Sequence, residues 1–234
     1  MTDLFNTRYG WILRAGLVDY KLAWKWQKSL VNMRREGLAR DTILMLEHPP
    51  VVTVGKDGHK ENFAKCDLEP IHIERGGDVT YHGPGQLVVY FIFNLTRRGR
   101  DVRKFITNLQ QGIVDAFADL GIECTIRKGE HTGVWVGDRK IASLGVAVKR
   151  WITYHGVAIN LNTDLSEFNR INPCGFKAET MISARELIGK DLDIENFADI
   201  LLEHYANLFV TKFEPVDLAS LAEELESQAG GYTI

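Results

Sequence analysis

Three short stretches of this sequence concentrate residue types that can do chemistry. The first, RGGDVTYHGPGQ, runs from Arg75 through Gly76, Gly77, Asp78, Val79, Thr80, Tyr81 and His82 to Gln86, and leads straight into the apolar segment 87–93. Glycines at this density let a backbone turn tightly and approach a ligand with its N–H groups exposed. The spacing is neither that of a phosphate-binding GxxxxGK[ST] loop nor that of a GxGxxG dinucleotide fingerprint. It reads as a ligand-facing loop, with a purely structural double turn as the alternative. The second stretch is Asn172-Pro173-Cys174-Gly175. Most free cysteines are buried and inert, and Cys66 and Cys124 read that way. Cys174 differs because the flanking Pro and Gly place it in a turn, where a thiol can meet a substrate. At neutral pH an ordinary thiol is only slightly ionised, so a nucleophilic Cys174 needs a nearby base or cation. His82, His155 and Lys140 are the candidates, and spacing does not choose among them. The third stretch is Arg139–Gly145, carrying Lys140, Ser143, Leu144 and Gly145, followed by Gly156, Val157 and Ala158. Both parts read as strands whose small residues face something bulky. A lysine in an apolar strand has to reach water or give up its charge.

The elements that must position these residues alternate between two periods. Leu22, Trp26, Leu30 and Met33 stand at helical spacing within 17–38, with Gly37 as a stop. Phe105, Leu109, Ile113 and Phe117 repeat the pattern over 101–120, with Gly121 just beyond. Segments 43–47 and 51–54 read as short strands broken by Pro49-Pro50, and 86–93 as a strand buried on both faces. The stretch 122–161 is strand-rich, and helical spacing returns over 194–209 and 217–227. The expectation is one α/β (α+β) domain over 1–234, a mixed sheet flanked by helices, with a C-terminal helical part from about 190 packed on it.

Composition narrows the classes. The chain has 234 residues, 45% of them hydrophobic and 25% charged, with a formal net charge of −3. That mix excludes disordered, collagen-like and coiled-coil readings and argues against a dedicated nucleic-acid binder. Three cysteines are too few for a secreted disulfide framework, no signal-like segment opens the chain, and no apolar run approaches a membrane span, so a cytoplasmic location is expected. The seven histidines are scattered without metal-ligand spacing, so neither a metal nor another cofactor is expected. Arg97, Arg98, Arg100, Arg103 and Lys104 form a basic cluster that reads either as a solvated face or as a docking patch for an acidic partner.

Taken together, the three stretches resemble the lipoate-protein ligase B family, the octanoyl-[acyl-carrier-protein]:protein N-octanoyltransferases. The likeness is carried by Arg75-Gly76-Gly77, Thr80, Tyr81-His82, Gln86 and Tyr90, by Lys140 ahead of Ser143-Leu144-Gly145, by Gly156-Val157-Ala158, and by Cys174 in its Pro-Cys-Gly turn. It extends to at least Ala184. The resemblance implies the fold of lipoate and biotin protein ligases, with Cys174 and Lys140 catalytic and the residues 75–82, 143–145 and 156–158 lining the substrate. It implies an octanoyl group taken from octanoyl-acyl carrier protein and passed to one lysine of a lipoyl domain. The acceptors would be 2-oxoacid dehydrogenase complexes and the glycine cleavage H protein, and the enzyme would act as a monomer. Exchange between thioesters is nearly isoenergetic and aminolysis to an amide is downhill, so this chemistry needs no ATP. The rivals are an ATP-dependent ligase on the same fold, a silent carrier-binding module, and a cysteine hydrolase.

Overall fold

In the computed structural model, residues 6–64, 66–172, 180–217 and 221 are described. In chain order the elements are β1 (Tyr9–Leu17), α1 (Tyr20–Glu36), β2 (Asp41–Glu47), β3 (Val51–Val54), β4 (Ile71–His72), β5 (Val79–His82), β6 (Gln86–Ile92) and α2 (Val102–Ala118). They continue with β7 (Thr125–Arg127), β8 (Gly133–Val136), β9 (Arg139–Lys149), β10 (Ile152–Asn160), α3 (Ala184–Ile188), α4 (Ile194–Phe209) and β11 (Lys212–Pro215). Local chemistry fixes the long helices. Asp19 caps α1 by accepting from the Leu22 N–H at 3.1 Å, and Gly37, at φ 77°, ends it in the left-handed conformation. Asp101 caps α2 through the Lys104 N–H at 2.9 Å.

Eight strands form one mixed sheet in the order β11-β1-β2-β6-β10-β9-β8-β7; β4, β3 and β5 make a small second sheet. β1 pairs in parallel with β2 and β11, and the remaining pairs of the large sheet are antiparallel. β6 sits at its centre, buried along its whole length. Its odd residues Leu87, Val89 and Phe91 pack with Phe105, Ile113, Leu201, Tyr205 and Phe209 of α2 and α4. Its even residues Val88, Tyr90 and Ile92 pack with Ala23, Trp26 and Leu30 of α1. The period-2 alternation of a strand thus serves two layers at once. α2 and α4 approach closely at Gly112, where an added Cβ would lie 2.4 Å from the Tyr205 ring.

A buried charge network ties the remote parts together. Asp41 opens β2 and accepts from Arg34 of α1 and from Arg98, each at 2.7 Å, and from the Asn94 N–H at 2.9 Å. Arg98 also donates to the carbonyls of Phe209 and Thr7 and to the Thr211 hydroxyl. Arg98 therefore belongs neither to a solvated face nor to a docking patch. It clamps the end of α4 to the sheet.

The sheet edges depart from the sequence reading. β1 carries Gly, Arg and Trp in mixed order and shows no clean alternation, yet it is paired on both sides. Within the glycine-rich stretch, 79–82 form strand β5 rather than loop. The helical pattern over 217–227 falls almost wholly outside the described residues.

Candidate active site

The α1-facing side of β6, β10 and β9 forms a trough. Across it, Ser143, Ala158 and Val88 stand in one row of paired residues, and Gly145, Gly156 and Tyr90 in the next. The small residues Ser143, Ala158, Gly145 and Gly156 leave the floor low, while Tyr20 of α1, Arg75, Gly77, Thr80, His82 and His155 make the walls. The trough and its open mouth together enclose about 460 Å³. Gly145 is required by contact: an added Cβ would lie 2.8 Å from Arg75 Cδ and 3.0 Å from the Gly76 carbonyl. Arg75, 7% exposed, donates to the Thr53 carbonyl at 2.9 Å and its hydroxyl at 3.1 Å, while the Gly76 N–H meets the Val146 carbonyl. The glycine-rich stretch is thereby pinned across β9.

Two buried histidines line or back this trough. Gln86 donates its amide to Asn160 Oδ1 at 2.9 Å, which turns Gln86 Oε1 toward His82 Nδ1 at 2.7 Å. Nδ1 then carries the proton and Nε2 keeps a lone pair. His48 Nδ1 lies 2.7 Å from the Val18 carbonyl, so His48 Nε2 accepts from the Tyr90 hydroxyl at 2.8 Å. Burial, opposed by the Val18 contact, pushes His48 down to about 4; burial first, then the neighbouring His48, pushes His82 down to about 3. Burial likewise raises the Tyr20 and Tyr90 phenols above their ordinary range. The two histidines and the two phenols are therefore neutral at physiological pH, and Arg75 supplies the positive charge of the wall. The unfolded chain binds protons on both histidines below pH 6.5 and the folded chain does not, so stability is full above that value and falls as pH drops toward 4. Each histidine should remove about 1.4 kcal/mol per pH unit across that window. Thermal melts at pH 7.5 and 5.0 should show the loss, and replacing His48 by Asn should reduce the slope. A melting temperature flat over that range would contradict the neutral assignment.

Lys140 reaches the same face through a β-bulge. β8 pairs Val134 with Ala142 and Trp135 with Lys140, leaving Ile141 as the extra residue of β9. Ile141 and Ala142 both join the core under α2 and α4, so the alternation resets and Lys140 shares a face with Ser143 and Gly145. The residue is 3% exposed, with Nζ 5.6 Å from the Trp135 ring centroid. Its arm passes over Gly133, where an added Cβ would lie 2.3 Å from Lys140 Cε and 2.8 Å from the Ala142 carbonyl. Gly133→Ala should therefore displace Nζ and lower turnover about tenfold or more, with a smaller change in KM. Unchanged turnover would show that the arm has other routes.

Of the residues singled out in the sequence, Arg75, Gly77, Thr80, His82, Ser143, Leu144, Gly145, Gly156, Val157 and Ala158 line this one trough. Val79 and Tyr81 point the other way, into a cluster with Val52, Phe168 and Met181. The Asp78 carboxylate accepts from the His59 and Val79 N–H groups and from Asn62, holding a neighbouring loop. Cys174 lies outside the described residues. On either side of its segment, the Asn172 N–H donates to the Asn62 carbonyl at 2.7 Å, and Met181 bridges to Lys140, whose carbonyl accepts from the Ile182 N–H at 3.0 Å. Arg139 fixes that return by donating to the Met181 carbonyl at 2.9 Å while pairing with Glu186. The basic residues 97–104 stand near the β9–β10 turn, where Arg100 lies over the exposed Trp151. Nine residues of β9 separate that turn from Lys140, roughly 30 Å at about 3.3 Å per residue. Sequence reading missed Gly133, Tyr20 and His48, which have no motif of their own. Among the described residues no group of His, Cys, Asp or Glu is arranged to hold a metal, and no helix is long and apolar enough to cross a membrane.

Comparison with known proteins places this site in a family. Residues 19–206 match the lipoyl protein ligase A/B catalytic domain. The chain is 41% identical to an octanoyltransferase of Syntrophotalea carbinolica over 88% of its length and 97% of that protein. It is 45% identical to an octanoyltransferase of Solibacter usitatus over 88% and 95%. A lipoate-protein ligase A crystallised with ATP superposes with a TM-score of 0.75 at 14% identity, covering 95% and 93% of the two chains, a likeness of fold. The mixed sheet with helices on both faces is thus this chain's version of the fold of a known catalytic domain. The chain belongs to the lipoyl protein ligase A/B catalytic domain family.

Proposed function

We propose that this protein is an octanoyltransferase: it accepts an octanoyl group as the thioester of acyl carrier protein and transfers it to a lysine of an apo lipoyl domain, within lipoate biosynthesis. The observation that carries the reading is the trough of Ser143, Gly145, Gly156 and Ala158, a floor low enough for an alkyl chain, which shares its face with the buried Lys140. The names of the relatives, each an octanoyltransferase matched over most of both chains, support the acyl group.

In this reading Cys174 is the nucleophile and Lys140 its proton partner. Neutral Lys140 takes the thiol proton as Sγ attacks the donor thioester carbonyl, and returns it to the departing carrier thiol. The acceptor lysine then attacks the Cys174 thioester, loses a proton to Lys140, and releases the cysteine as a thiol. A lysine amine can serve both steps because it can accept a proton and return it. Backbone N–H groups near Gly145 are the candidates to stabilise the tetrahedral oxyanion, at roughly 3–4 kcal/mol per donor, because those of Gly76 and Gly77 are engaged by the Val146 carbonyl and the Asp57 carboxylate. The glycines there keep the backbone accessible. His82, neutral with a lone pair on Nε2, orients groups at the trough wall.

The test is transfer from octanoyl-acyl carrier protein to an apo lipoyl domain with ATP omitted and then added. ATP-independent octanoylation is expected. Octanoylation only from free octanoate and ATP would mean ligase chemistry, as the fold of the ATP-bound lipoate-protein ligase allows.

A further inference from the structure

One corner of the large sheet keeps its positive charge unmatched. Elsewhere Arg14, Arg40, Arg127, Arg139, Arg170 and Arg185 each pair with a carboxylate. At the tip of the β9–β10 hairpin and the adjoining start of α2 that pattern stops. Arg100, Arg103, Lys104, Lys149 and Arg150 are all exposed, and none pairs with a carboxylate among the described residues. The nearby carboxylates are turned elsewhere, Asp101 to the Lys104 backbone N–H and Glu74 to the Trp24 indole. Arg103 and Lys104 stand in the first turn of α2, where cations oppose the helix dipole. The backbone is strained at the same place. Arg150 and Trp151 form the two-residue hairpin turn at φ 51° and 65°, values that Asn-Gly adopts most easily. Arg100 adds φ 53°, and its guanidinium lies 5.7 Å from the Trp151 ring centroid. Trp151 and Val148 are each 40% exposed. Side chains held in a strained turn and left facing solvent point to recognition. An exposed Trp and Val ringed by unmatched cations have the make-up of a binding hot spot with a charged rim.

The patch runs from the hairpin tip back toward the trough. Half-buried Lys28 lies over the Trp24 ring, 3.7 Å from its centroid. Burial lowers its ammonium from the usual lysine range, Glu74 opposes the shift, and Lys25 and Lys149 add to it, so three lysines share one neighbourhood. Glu74 is in turn the ion-pair neighbour of His155, which pairs with Val146, six residues along β9 from Lys140. The near edge of the patch is thus roughly 20 Å from Lys140 and the hairpin tip roughly 30 Å, at about 3.3 Å per residue. That distance chooses between two protein partners. An acceptor lysine reaches only roughly 6 Å from its backbone at about 1.5 Å per bond, so its domain has to sit over Lys140 itself. A carrier thioester hangs on a phosphopantetheine arm of about fifteen bonds, roughly 20 Å when extended. We propose that this corner is the docking surface for the donor carrier protein, bound through a carboxylate-rich face with Trp151 at the centre of the contact. This rests on the octanoyltransferase reading above.

The test measures KM for octanoyl-acyl carrier protein and for the apo lipoyl domain in two double variants. Arg100→Glu with Arg150→Glu should raise the carrier KM about tenfold or more in about 0.05 M salt, and about 0.3 M salt should narrow the gap. Its kcat and its KM for the lipoyl domain should stay within about twofold of wild type. Arg150→Asn with Trp151→Gly supplies the residue types this turn prefers. That variant should melt at a higher temperature than wild type and still raise the carrier KM, a combination that a purely structural turn does not give. A carrier KM within about twofold of wild type in either variant would overturn the proposal and leave the octanoyltransferase reading intact. A rise in KM for the lipoyl domain instead of the carrier would overturn it in favour of the acceptor. Unmoved carrier KM values, with wild type but neither variant sedimenting on phosphatidylglycerol vesicles, would overturn it in favour of a membrane surface. Failure of the wild-type protein to use any octanoyl-acyl carrier protein would instead remove the reading on which it rests.

Discussion

Replacing Lys140 with methionine is expected to lower octanoyl transfer by about a hundred- to ten-thousandfold, the range general acid–base partners contribute. The fold should survive. Lys140 is almost fully buried on the trough face of the sheet, and the long apolar side chain of methionine can occupy the same path over Gly133 and beside Trp135. Arginine at this position keeps a positive charge but cannot give up a proton at working pH. Lys140→Arg should therefore fail to restore activity if the residue acts as a proton acceptor, whereas charge alone would let it recover. Single-turnover assays on both variants, with melts as a folding control, check this. A loss below tenfold in Lys140→Met would remove Lys140 from the chemistry.

The second large effect concerns stability. Asp41 is fully buried between Arg34, itself without exposed side chain, and Arg98. Asp41→Asn leaves two guanidinium groups facing a neutral amide in the interior. Removing one partner of a buried ionic network costs about 3–5 kcal/mol. For a chain of this size that is roughly 6–20 °C in melting temperature. The mechanism of the loss is the stranded charge, so Arg34→Met combined with Asp41→Leu should recover part of it. Denaturant titrations of the three proteins measure both quantities. A loss under about 1 kcal/mol for Asp41→Asn would show that water or a neighbouring group compensates the arginines.

Much of this architecture was legible in the sequence because the central elements are strongly periodic. α1, α2 and α4 carry apolar stripes and capping residues that leave little choice, and β6 is apolar throughout because both its faces are covered. Two strands were harder. β1 mixes Gly10, Trp11 and Arg14 because its ends are partly exposed, so alternation fades although its pairing is sound. β5 was hidden among glycines that belong to the turns on either side of it. For the trough, glycine-rich and small-residue motifs pointed to the right backbone, since close approach demands those residue types. The sequence could not show that a bulge at Ile141 turns Lys140 onto the Ser143 face, nor that Gly133, across the sheet, makes room for its arm. Those relations depend on register, and register appears only once strands pair. The basic stretch 97–104 shows the reverse hazard. Arg97, Arg100, Arg103 and Lys104 are exposed as composition suggests, but Arg98 is spent on Asp41 in the interior.

If octanoyl passes through a thioester on Cys174, intact mass with peptide mapping will detect it. The protein is incubated with octanoyl-acyl carrier protein in the absence of ATP and any acceptor. A single octanoyl adduct is expected on the peptide containing Cys174, labile to hydroxylamine, discharged by an apo lipoyl domain and missing from Cys174→Ala. An active enzyme that octanoylates the lipoyl domain without ever carrying that adduct, or a Cys174→Ala variant that retains full transfer, would contradict it.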